Sequence, residues 1–111
     1  MSDSGTSPGA AGQHCYAVHF EDDPSAAGVR DTHAAEHRAF LHAAGRRLLA
    51  AGDLMREGAE APVGSLWLVW APSELAAREL LEADPYFRHG LRRVVRVWRW
   101  RHRAGAGAPP A

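Results

Sequence analysis

The chain has 111 residues and balances 13 cationic side chains against 13 carboxylates, so one small domain of near-zero net charge is expected. All of the cations are arginine, and the absence of lysine removes Schiff-base chemistry through a lysine side chain, including the usual PLP and aldolase routes. Cys15 is the single cysteine, which rules out an internal disulfide and a thiolate metal cluster. Residues 1–13 and 104–111 are rich in Ser, Gly, Ala and Pro. They have too little apolar bulk to offset the entropy of ordering, so they are expected as disordered tails around a folded domain at 14–103. Residue 1 is not followed by a basic start and apolar stretch, and no apolar run nears the roughly 20 residues that span a bilayer. A soluble, cytoplasmic protein without membrane contact is the expectation. Isoleucine and asparagine are missing as well as lysine. AT-rich codons encode all three, so the composition points to a high-GC genome.

His14–Phe20 is aromatic and β-branched enough for a first strand, closed by the turn cluster Glu21-Asp22-Asp23-Pro24. Ser25 to Gly45 reads as one helix. Val29, His33, His37 and Leu41 recur every four residues, with Ala34, Phe40 and Ala44 in the same stripe, so both histidines face inward or into a cleft. Arg47–Leu54 is a second strand. Met55–Gly64 is its connection to a third strand at Ser65–Trp70, an arrangement that suits a hairpin with a long loop. Ser73 caps a second helix with Leu75, Leu80 and Leu81 on its apolar side, ending near Ala83. Asp84 then caps a new helical turn opened by Pro85 and stopped by Gly90. Leu91–Arg101 is the last strand. The order is β-α-β-β-α-β, the split βαβ pattern of an antiparallel sheet with both helices on one face. The other face needs cover, and a second copy of the chain is the ordinary solution.

The string His33-Ala34-Ala35-Glu36-His37 matches the H-x-x-E-H pattern of one class of zinc peptidases. A zinc site would also need a third ligand on a second helix, and such enzymes are far larger, so no metal is expected. His37 carries a different chemistry. Imidazole, with a reference pKa near ~6.5, exchanges protons at neutral pH, and a neighbouring carboxylate would orient it. Asp84 is a natural helix cap, and a capping carboxylate can also accept a hydrogen bond from an imidazole. The arginines of 88–103 interleave with Trp98 and Trp100, a mixture that can bind nucleic acid. On an alternating strand they split between two faces, however, and the chain is neutral. Ion pairs to Glu74, Glu79 and Glu82 are expected instead, with no nucleic-acid partner.

Taken together, His37-x-x-Phe40-Leu41, the run Arg47–Gly52, Ala83-Asp84-Pro85-Tyr86, Gly90-Leu91 and the strand ending at Trp100 resemble the YCII-related (YciI-like) family over roughly Tyr16–Trp100. The resemblance implies a ferredoxin-like α+β domain in a dimeric α/β-barrel-type assembly, with a His and an Asp, here His37 and Asp84, at the active site. It also implies cofactor-free acid–base chemistry on small molecules, including dehydrochlorination of hydroxylated aromatic rings. There are two departures. Ala34 stands where family members commonly carry Arg, with Arg30 or His33 as substitutes. Asp53 stands where many have Pro, and is expected in a turn.

The resulting expectation is a small homodimeric lyase or isomerase without metal, nucleotide or PLP. It would use His37 and Asp84 for elimination, isomerisation, dehydration or cyclisation of a hydroxylated aromatic or polyketide-like substrate, in aromatic catabolism or secondary metabolism. Tyr86, His33, His19 and Trp67 are the candidate substrate contacts. His19 and Tyr16 lie on opposite faces of the first strand, so only one of them can face the pocket. The alternatives are a non-catalytic ligand-binding or accessory dimer, and a cofactor-independent oxygenase of similar fold.

Overall fold

The computed structural model describes residues 12–105. Residues 1–11 and 106–111 of the two expected tails lie outside the described residues. Strand β1 (His14–Asp22) leads through a 3-10 turn at Pro24–Ala26 into helices α1 (Gly28–Thr32) and α2 (Ala34–Ala44). After a further 3-10 turn come β2 (Leu48–Met55), β3 (Pro62–Ala71), α3 (Glu74–Glu82), α4 (Pro85–Arg88) and β4 (Arg92–Arg99). The strands form one antiparallel sheet in the order β2-β3-β1-β4. The β-α-β-β-α-β succession of the sequence is therefore the succession of the fold.

Strand alternation decides what each face carries. Tyr16, Val18 and Phe20 of β1 are buried with Trp67 and Val69 of β3, and Ala44, Ala77, Leu80 and Leu81 of the helices close over them. The pairing of Val18 with Trp67 on one side and Val97 on the other sets the register of this core layer. Tyr16 thus belongs to the helix-covered face. His19 lies on the opposite face, paired with Leu66 and Arg96. That open face leaves Leu66 41% and Trp98 61% exposed.

Local signals explain the element ends. Asp23 caps the first 3-10 turn by accepting from Ser25 N at 2.9 Å, Ser73 caps α3 by accepting from Ala76 N at 3.1 Å, and Asp84 caps α4 by accepting from Tyr86 N at 3.1 Å. Gly64 sits where β1 crosses closest: a Cβ there would lie 2.0 Å from the carbonyl oxygen of Phe20, so no other residue fits. Gly90 ends α4 with φ +83°, the left-handed conformation that glycine adopts without steric cost.

The structure corrects several expectations. The single helix at Ser25–Gly45 is broken at His33, whose φ of −113° and ψ of 17° are not helical. Near the break the Arg30 carbonyl accepts a hydrogen bond from Tyr86 Oη at 3.0 Å, a tertiary contact that no helical period reveals. Strand β1 runs on through Glu21 and Asp22, both expected in the turn. Strand β3 begins at Pro62, three residues early, as its first position tolerates the missing N–H. Leu75 is exposed, because α3 buries Ala77, Leu80 and Leu81 instead. Glu74 pairs with Arg78 one turn along α3 and not with the last strand; Arg93 and Arg96 pair with Glu21.

Candidate active site

The centre of the site is a contact between two helices. α2 turns His37 inward, α4 presents its cap, and His37 Nδ1 lies 2.6 Å from Asp84 Oδ1. Asp84 is fully buried and His37 is 9% exposed. A carboxylate oxygen accepts, so Nδ1 carries the proton in the neutral ring and Nε2 is left with its lone pair. The Tyr86 ring stacks on the imidazole with centroids 3.9 Å apart and planes 12° off parallel. Its hydroxyl is committed to the Arg30 carbonyl, and burial pushes the phenol pKa up, so Tyr86 sits as a neutral plate against the imidazole.

Behind the dyad runs a chain of alternating charges. Asp84 Oδ2 faces Arg92 Nη2 at 3.5 Å, Arg92 Nη1 donates to Asp22 Oδ1 at 2.9 Å, and Arg30 Nε donates to Asp22 Oδ2 at 2.8 Å. Arg30 Nη1 then reaches Asp53 Oδ1 at 3.2 Å. Ser65 Oγ accepts from both guanidiniums, at 3.2 Å from Arg30 and 3.0 Å from Arg92. The Arg92 side chain is fully buried, and its guanidinium lies 4.2 Å from the centre of the Phe20 ring. Three carboxylates and two guanidiniums leave one negative charge in excess, which a protonated His37 would cancel.

The dyad opens into a cleft of about 290 Å³ whose lining includes Arg30, His37, Asp53, Ser65, Trp67 and Tyr86. Of the four candidate contacts, Tyr86 and Trp67 line this cleft. His19 and His33 do not line it. His19 is on the far face of the sheet, because odd-numbered positions of β1 point away from the helices. His33, one turn before His37, is turned outward by the helix break and bonds Glu36 at 2.6 Å. Asp53 lies on β2 and lines the cleft, contrary to the turn expected for it. A larger hollow of about 720 Å³ opens at the C-terminal end of α2, but among its lining residues are no histidine, aspartate, serine, cysteine or tyrosine. The His37–Asp84 contact adjoins the smaller cleft, whereas Glu79 is the one carboxylate among the larger hollow's lining residues.

Sequence reasoning missed Asp22 and Arg92. Asp22 could have been found, since it continues the inward alternation of Tyr16, Val18 and Phe20. Arg92 could not. The β1–β4 register shifts between Glu21 and Asp22, which pairs Asp22 with Arg92; unbroken alternation from Val95 would have turned Arg93 inward. Arg30, by contrast, was already a candidate substitute for the cation missing at Ala34, and it lines the cleft together with Arg38.

Fold and site together define a class: the chain belongs to the YCII-related domain family, whose sequence profile matches residues 15–101. No curated protein matches the sequence at a significant level. Among solved structures, the chain is similar to 5-chloro-2-hydroxyhydroquinone dehydrochlorinase from Burkholderia phenoliruptrix in complex with 2,5-dihydroxybenzoquinone. The match has a TM-score of 0.73 and 25% sequence identity, and covers 79% of this chain and 94% of that one. The fold is thus the ferredoxin-like α+β class expected from the sequence.

Proposed function

We propose that the chain is a small acid–base enzyme acting on a hydroxylated aromatic or similarly enolisable molecule, with His37 as the proton acceptor and Asp84 as its orienting partner. The observation that carries this reading is the 2.6 Å His37–Asp84 contact, buried on the Asp84 side and adjoining a cleft. Asp84 holds the tautomer that leaves Nε2 basic, and its own carboxylate stabilises the imidazolium formed on proton transfer. The similarity to a dehydrochlorinase supports elimination in particular. In that reaction His37 removes a proton from the substrate. The freed electron pair forms the new π bond and a halide leaves with its own pair, so the sum is loss of HX with no external oxidant. A cleft of about 290 Å³ is at the lower end of small-molecule sites, in keeping with a single substituted ring.

The open sheet face, with Leu66 and Trp98 exposed, supports a homodimer formed through that face. The catalytic reading is tested with 5-chloro-2-hydroxyhydroquinone and related chlorinated phenols, following chloride release. His37→Ala and Asp84→Asn should each lower kcat/KM by about 10²–10⁴-fold while the far-UV spectrum stays native. Full activity in both variants would sink the dyad. An accessory protein using the same cleft would bind such ligands with no turnover to lose, and an oxygenase would consume oxygen, which elimination does not.

A further inference from the structure

The helix break that turns His33 away from the cleft gives it new neighbours. His33 and His89, from either side of the α2–α4 contact, stack with ring centroids 3.6 Å apart and planes 8° off parallel. Glu36, three residues along α2, reaches His33 Nδ1 at 2.6 Å. One donor atom from each of His33, Glu36 and His89 lies within 4.8 Å of the others. The zinc-peptidase string at 33–37 is therefore split by the fold. His37 goes to Asp84, and His89, 52 positions downstream of it, takes its place beside His33 and Glu36.

We infer that His33, Glu36 and His89 form a binding site for a divalent cation of the zinc class. Two imidazoles and one carboxylate are a borderline-soft donor set that suits Zn²⁺ and leaves a fourth position open to solvent. Tetrahedral ligation at metal–ligand distances of about 2.0–2.1 Å needs donors about 3.3 Å apart. His33 Nδ1 and Glu36 Oε1 are 2.6 Å apart, and the three donors all lie within 4.8 Å of one another, which places them close to that spacing. Ligation requires the exposed Glu36 carboxylate to swing outward and one imidazole to rotate out of the 8° stack, so that the in-plane lone pairs converge. The site spans α2 and the residue that ends α4, the helix that supplies Asp84 and Tyr86. A bound cation would pin the two halves of the dyad together from outside, one helical turn from His37 and without entering the cleft.

The test is titration of the full chain with zinc chloride by calorimetry, together with imidazole ¹⁵N shifts and the thermal midpoint. The expected result is one equivalent per chain, shifts confined to His33 and His89, and a midpoint that rises with zinc. His89→Ala and Glu36→Gln should each weaken binding at least 10-fold, while the controls His42→Ala and His102→Ala leave the isotherm unchanged. Because His89 and Glu36 are exposed, at least one of the two variants should fold normally. Equal binding by wild type and a His33→Ala/His89→Ala double variant overturns the site. So does loss of binding in His37→Ala with none in His89→Ala, which places the metal on the buried dyad. Neither result bears on proton transfer by His37, which is read by turnover in the absence of added metal.

Discussion

Replacing Arg92 with Met is the most demanding test of the charge chain behind the dyad. The change keeps much of the side-chain volume and deletes a fully buried cation. Asp22 loses a 2.9 Å partner but keeps Arg30 at 2.8 Å. Asp84 loses its 3.5 Å neighbour and keeps His37 and the Tyr86 amide. Removing one member of a buried pair costs about 3–5 kcal/mol. Each carboxylate here retains a partner, so the lower end, about 3 kcal/mol, is expected. For a domain of this size that lowers the thermal midpoint by no less than about 12 °C. In urea it moves the unfolding midpoint by roughly 2 M at an m-value near ~1.5 kcal/mol/M.

The assay is urea unfolding at fixed protein concentration, with Arg93→Met as the comparison. Arg93 is the next residue along the strand, yet its side chain is 58% exposed and reaches Glu21 only at 3.6 Å, so its loss should cost less than about 0.5 kcal/mol. The double variant Asp22→Asn/Arg92→Met should be less destabilised than the two single changes added together, because it removes a charge that Arg92→Met alone leaves with one partner fewer. If Arg92→Met lies within 1 kcal/mol of wild type, or Arg93→Met costs as much, the register shift and the ion chain built on it are wrong.

Three further outcomes follow from the same geometry. Tyr86 holds its proton more tightly folded than unfolded, so its stabilising contribution is complete below the ordinary tyrosine pKa near ~10 and is lost as pH rises through the raised value; absorbance titration at 295 nm should show one phenol ionising late, and Tyr86→Phe should abolish that phase. Paired Leu66→Glu and Trp98→Glu changes on the open sheet face should convert a dimer to a monomer in light scattering, and a monomeric wild type would refute the dimer outright. Burial pushes the Cys15 thiol pKa up, so the native protein should resist alkylation at pH 8 and react fully only in denaturant.

Sequence alone was sufficient wherever the determining interactions are local. Alternation in 14–20, the four-residue recurrence through His37, and the caps Ser73 and Asp84 act over a few residues, so the order of elements and the inward face of α2 were legible. His37 on the helix face and Asp84 at its cap were legible as local features for the same reason, while their joint role was implied by the resemblance to the YCII-related family. What the tertiary structure decided was which charges meet. A one-residue register shift between β1 and β4 selects Arg92 over Arg93, although the two are adjacent and identical in type. A break at His33, beside an Arg30 carbonyl bonded to a tyrosine 56 residues away, turns one histidine out while its neighbour one turn on stays in. Asp22 and Asp53 enter the site through arginines of other elements, Asp22 bonding Arg92 across 70 positions. Burial makes such charges costly unless they are paired, so the pairing is strongly enforced in the folded protein, but it acts between positions whose proximity exists only after the sheet has formed.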